Sequence, residues 1–90
     1  MNYKFTFTNT CEKTINKATR KNPILEKVLT RKINQIILNP HRYKPLRHDL
    51  AGERRVHIMS NLILKFIIDE QNKIVIFIFF GHNDKTHRLL

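Results

Sequence analysis

Ile74-Val75-Ile76-Phe77-Ile78-Phe79-Phe80 is apolar at every position. A strand with one wet face alternates apolar and polar side chains, whereas a strand covered on both faces does not. The run is too short to cross a bilayer. It is bounded by the polar stretch Asp69-Glu70-Gln71-Asn72-Lys73 and by Gly81. This pattern predicts a central strand that ends at Gly81, followed by a polar tail from His82 to Arg88.

Reading back from this strand, residues 69–73 make a hairpin connection to an earlier apolar strand, Leu62 to Ile68. Ser60-Asn61 is the turn before it. Residues 54–59 form the preceding strand, in which Val56 and Ile58 point to one face and Arg55 and His57 to the other. The segment from His41 to Glu53 is polar and basic and contains Pro45 and Gly52. It reads as a loop, with room for an extra short strand near Lys44–Leu46.

At the other end, Tyr3, Phe5 and Phe7 alternate with Lys4, Thr6 and Thr8, the pattern of a half-buried first strand. Asn9 stands three positions before Glu12, an N-cap pattern. Cys11, Ile15 and Ala18 follow at helical spacing, which predicts a short helix over 10–20. Asn22-Pro23 restarts the chain, since proline suits the first helical position. Leu25, Val28, Leu29, Ile33, Ile36 and Ile37 then form one stripe of a longer helix, stopped by Asn39-Pro40.

The expected fold class is α+β. An N-terminal strand and a helix hairpin pack on a small antiparallel sheet, in the order β-α-α-β-β-β with the extra short strand as an option. Ninety residues are enough for one modest core, so 1–90 is read as a single domain.

Charge narrows the function. Lys and Arg number 17 against 7 Asp and Glu, a formal charge of +10. Such an excess points to a polyanionic partner: RNA, DNA, an anionic membrane or an acidic protein. Cys11 is the only cysteine, so neither an intrachain disulfide nor a cysteine-based zinc cluster can form. A lone cysteine and the lack of an apolar signal core after Met1 lead us to expect a reducing, cytoplasmic setting without membrane insertion.

The cations concentrate in one stretch. His41, Arg42, Lys44, Arg47, His48, Arg54, Arg55 and His57 fall within positions 41–57, opposed by Asp49 and Glu53. Such a cluster supplies salt-sensitive affinity for nucleic acid, although it is equally compatible with a solvated basic surface. His57 could serve as general acid or base on a ribose hydroxyl or a leaving oxygen. Arg55 could stabilise charge on a transferring phosphoryl group. The bland alternative is that both are merely polar residues on a wet strand. His82 and His87 follow the central strand, where a rigid scaffold often presents site residues. No metal is expected, because His57, His82, Asp84 and His87 lack a recognisable ligand spacing. No glycine-rich phosphate loop and no Gly-x-Ser-x-Gly elbow occurs, and Cys11 is better explained by packing than by nucleophilic use.

With these residues in view, nearly the whole chain resembles the RelE/ParE toxin superfamily of type II toxin–antitoxin systems. The resemblance rests on Lys44-Pro45-Leu46, Leu50-Ala51-Gly52, Arg54-Arg55-Val56-His57-Ile58, the strand Leu62 to Ile68 with its hairpin, and Gly81-His82. It implies a small RNase that enters the ribosomal A site and cuts mRNA there, with no cofactor and with a cognate antitoxin as protein partner. ParE-like members share the fold but act on DNA gyrase, so the alternatives are a gyrase-directed toxin or a catalytically silenced antitoxin-binding relative. The resemblance puts His57 at a catalytic position and Arg55 at another. It also implies His82 as a second acid–base group and His87 near the place of a base-stacking aromatic. Lys44, Arg47, Arg54 and Arg42 are the expected phosphate contacts. The chain departs from the pattern at three places. Leu62 and Ile63 stand where an arginine is usual, Asn83 replaces an arginine after Gly-His, and a terminal aromatic is absent.

Overall fold

The computed structural model describes residues 2–45 and 52–82. Its elements are β1 (Lys4–Phe7), α1 (Asn9–Thr19), α2 (Pro23–Leu38), a 3-10 turn (Pro40–Arg42), β2 (Arg54–Ile58), β3 (Leu62–Asp69) and β4 (Ile74–His82). The expected α+β order is present. Instead of a full extra strand, an isolated antiparallel bridge joins Pro45 to Arg54.

The strands lie in the order β1-β4-β3-β2, so β4, apolar from Ile74 to Phe80, is central as its composition requires. The sheet is mixed, whereas a wholly antiparallel one was expected: β2, β3 and β4 form an antiparallel meander, but β1 pairs with β4 in parallel. The cause is topological. The helix hairpin carries the chain from β1 at one edge to β2 at the other, and two reversals bring β4 back alongside β1 in the same direction.

Local chemistry sets the helix ends. Thr8, not Asn9, caps α1: its hydroxyl accepts the Cys11 N–H at 3.2 Å. The extended backbone at Thr8 leaves its side chain facing the first turn, and Asn9 is already helical. Asn22 caps α2 through the Leu25 N–H at 3.1 Å, with Pro23 at the first helical position as expected.

The stripe Leu25, Leu29, Ile33, Ile36 and Ile37 is buried against the sheet with Cys11, Val56, Ile58, Leu64, Phe66, Val75, Phe77 and Phe80. Phe77 is the hub, with the rings of Phe5, Phe7 and Phe66 at centroid distances of 6.2, 5.3 and 5.9 Å. Burial pushes the Cys11 thiol up to about 11, so it stays protonated and serves as packing. No described helix is long and apolar enough to cross a membrane.

Candidate functional site

β2 alternates as its sequence dictates. Val56 and Ile58 are buried towards the helices, and Arg55 and His57 are exposed on the opposite face. At i and i+2 their Cα atoms are roughly 7 Å apart along a rigid strand. That spacing lets a guanidinium hold one phosphate while an imidazole reaches the adjoining ribose.

Cross-strand register extends this pair into two rows. Arg55 lies opposite Lys65, and Lys65 opposite Phe79. His57 lies opposite Ile63, and Ile63 opposite Gly81. The open face therefore presents two cations and an exposed phenyl ring in one row, with the imidazole beside them. Lys65 is half-buried, its ammonium 3.9 Å from a Glu53 carboxylate oxygen and 5.4 Å from the Phe79 ring centroid. Ile63 is fully buried yet lies outside the cluster packed under the helices. It occupies the centre of the imidazole row, between His57 and Gly81.

Lys44 is exposed and precedes Pro45, whose bridge to Arg54 brings Lys44 next in register to Arg55 at the outer edge of β2. Arg42 is exposed on the 3-10 turn, its guanidinium 5.9 Å from the Tyr43 ring centroid. Arg47 and His87 lie outside the described residues, as do Leu50, Ala51 and Asn83.

Two expected site residues are placed elsewhere. Arg54 belongs to the helix-facing side of β2 and is half-buried. Its Nη1 donates to the Tyr43 carbonyl, and its Nε is buried without a partner among the described residues. Tyr43 in turn packs edge-on against Phe66 at 6.0 Å. The guanidinium thus ties the 3-10 segment to the sheet and is turned away from Arg55. His82 is exposed but pairs with Leu62, which pairs with Ile58. Strand alternation sends that row to the helix-facing side, opposite to His57. Arg54 and His57 differ by an odd step along β2, and His82 falls one residue past the row of His57. In both cases pleat parity overrides nearness in sequence.

Sequence reasoning missed Lys65 and Phe79. One signal was available: Gly81 follows Phe79 by two positions, where a glycine on the same strand face leaves room for an aromatic ring.

No family model matches the chain. It is 36% identical over 86 residues to the Methanocaldococcus jannaschii protein named "Putative toxin RelE4", covering 96% of this chain and 92% of that one. An uncharacterized protein of Methanosarcina mazei is 35% identical over 71 residues, 79% of this chain and 83% of its own. A chain of the toxin–antitoxin complex RelBE2 from Mycobacterium tuberculosis superposes with a TM-score of 0.72 at 27% identity, over 91% of this chain and 99% of that chain. A mutant of the E. coli toxin RelE in the free state shares the fold over 100% of both chains, with a TM-score of 0.76 at 18% identity. With 36% identity to RelE4 over nearly the whole of both chains, and the fold shared with the RelBE2 toxin chain, the chain belongs to the RelE family of toxins of type II toxin–antitoxin systems.

Proposed function

We propose that this toxin is a metal-independent endoribonuclease that cuts mRNA in the ribosomal A site. The single observation that carries this reading is the presentation of Arg55 and His57 side by side on the open face of β2. In the reaction the ribose 2′-oxygen attacks the adjoining phosphorus, the bond to the 5′-oxygen breaks, and a cyclic phosphate is left on the upstream fragment. One proton leaves the 2′-hydroxyl and one reaches the 5′-oxygen. His57 moves one of these protons. Arg55, with Lys44 at the strand edge, holds the phosphate and offsets the charge that builds on it. Strand rigidity fixes the spacing before substrate arrives, which is where much of the advantage of an enclosed reaction lies.

The partner in the cell is a cognate antitoxin, as the complexed state of the M. tuberculosis relative supports. An acidic antitoxin segment would meet a chain of formal charge +10, and like-signed competitors would be repelled.

A second reading is favoured by one specific feature. Leu62 and Ile63 stand where the family resemblance leads one to expect an arginine, and fully buried Ile63 fills the centre of the imidazole row. A site short of that cation suits a gyrase-directed or silenced toxin. Mapping mRNA ends in a translating extract separates the two. Cuts at A-site codons that vanish with His57→Ala and in the absence of ribosomes support the nuclease. Intact message beside DNA damage and arrested growth supports the gyrase-directed alternative, and intact message without DNA damage supports a silenced relative.

A further inference from the structure

Phe79 is the unexplained residue of the open face. A phenyl ring at the centre of a sheet, 39% exposed, has apolar surface that the described residues leave uncovered. The other exposed aromatic, Phe5, packs edge-on against Phe7 and Phe77 at the sheet edge. Phe79 instead has a glycine and a cation as neighbours. A Cβ built on Gly81 would stand 2.8 Å from the ring's Cζ, closer than real Cβ contacts come, and 3.3 Å from its Cε2, a tight contact. The ring tip therefore lies directly over the Gly81 backbone, in the row of His57, and a side chain at position 81 would push it aside. Lys65 holds its ammonium over the same ring and, among the described residues, has one long ionic contact, to Glu53.

We propose that Phe79, seated on Gly81 and flanked by Lys65, is a stacking platform for one unpaired base of a single-stranded RNA. This rests on reading the open face as an RNA site. Arg55 and Phe79 are two strands apart, about 10 Å, which leaves room for a ribose between a held phosphate and a stacked base. Unpaired bases offer a π-face that any aromatic ring can take, whatever the sequence. As a base covers the ring, the Lys65 ammonium turns to the neighbouring phosphate, an exchange its weak tie to Glu53 permits.

The test is fluorescence anisotropy with the full chain, a labelled short single-stranded RNA, and the same strand made abasic, at one salt concentration. Wild type should bind the base-bearing strand more tightly. Phe79→Leu keeps apolar bulk but loses the π-face. It should weaken binding to that strand by about 5- to 150-fold, as loss of one stacked base does, while leaving abasic binding alone. Phe79→Tyr should preserve the preference, and Gly81→Ala, which displaces the ring, should reduce it. Lys65→Gln should weaken both strands alike and lower the salt slope by about 0.7. Because the two strands are compared on one protein, a loss of folding cannot mimic the result. Equal affinity of wild type for both strands overturns the platform and assigns the ring to a protein contact. A preference retained in Phe79→Leu overturns it too. The nuclease reading fails separately: a Phe79-dependent base preference in a protein that never cuts message leaves the platform standing. Cutting that needs His57 but ignores Phe79 does the reverse.

Discussion

Val56, Leu64 and Phe80 form one row across the sheet, and Arg55, Lys65 and Phe79 form the next. The first row is buried under the helices and the second is open or half-open to solvent. One pleat separates them, yet they obey different rules. On the covered face each side chain is held by apolar neighbours, and its worth is measured in stability. In the second row Arg55 and Phe79 are exposed and Lys65 is half-buried, and removing one of them should leave the fold intact. The same three strands thus carry both, and a one-residue slip in any of them would exchange the two sets.

The comparison breaks first at Phe77. Truncation of a fully buried phenyl ring costs about 3–5 kcal/mol. That is a large share of the roughly 5–15 kcal/mol typical of a domain. Urea unfolding should show Phe77→Ala losing that amount. A loss below about 1 kcal/mol would mean that the covered face is not the stabilising one.

A sharper cut is made by the consecutive arginines. Arg54 has its guanidinium on the Tyr43 carbonyl, so Arg54→Ala should destabilise by about 1.5–3 kcal/mol, the worth of a charge-assisted hydrogen bond. Arg55→Ala, on an exposed position, should stay within about 0.5 kcal/mol of wild type. Its cutting rate should fall about 100-fold, as for loss of one transition-state donor. Paired melting curves and cleavage assays read both quantities. If the stability effects are reversed, the two residues have been assigned to the wrong faces.

A smaller effect belongs to the joint between the layers. Thr8→Ala removes the hydroxyl that caps α1 and should cost about 1 kcal/mol by chemical unfolding. Asn9→Ala, one residue into the helix, should cost less. Equal losses would restore Asn9 as the cap.

How far these faces can be read from the sequence depends on the strand. In β2 the alternation of Arg55-Val56-His57-Ile58 gives the face of each residue directly, and the structure agrees. In α2 the stripe from Leu25 to Ile37 likewise gives the buried side. β4 hides its faces because every residue from Ile74 to Phe80 is apolar, so pattern carries no parity. A bulge removes what parity remains: Phe66 pairs with Phe77 and Lys65 with Phe79, which leaves Ile78 as an extra residue on β4. Phe77 and Phe80, three apart, are both buried for that reason, and Phe79 is turned outward between Ile78 and Phe80. His82 was misplaced by a related error, since one further step past Gly81 changes its face. Arg54 was grouped with Arg55 by charge, and only the Tyr43 carbonyl shows that its charge is spent within the fold. The parallel pairing of β1 has no local signal, because it follows from where the helix hairpin returns the chain.

The smallest expected effect lies at the hairpin end of the sheet, where stability rests on exposed polar contacts. The Glu70 carboxylate accepts from Lys73, from the Tyr3 hydroxyl at 3.1 Å, and pairs with His41 Nε2 at 2.7 Å. These partners, Lys73 first and His41 next, lower its pKa to about 2. A carboxylate whose folded pKa is depressed adds stability above its unfolded value, near 4.5, and loses it as pH falls towards 2. Because Glu70 is solvent-exposed, water and salt screen most of that gain. Melting temperature followed from pH 5 downwards should therefore drop slightly more for wild type than for Glu70→Gln, and added salt should narrow the gap. The cluster joins the start of β1, the 3-10 turn and the β3–β4 hairpin, yet every bond in it stays wet. A salt-insensitive gap as large as that of Arg54→Ala would show that burial is not what divides the stabilising from the dispensable polar contacts in this fold.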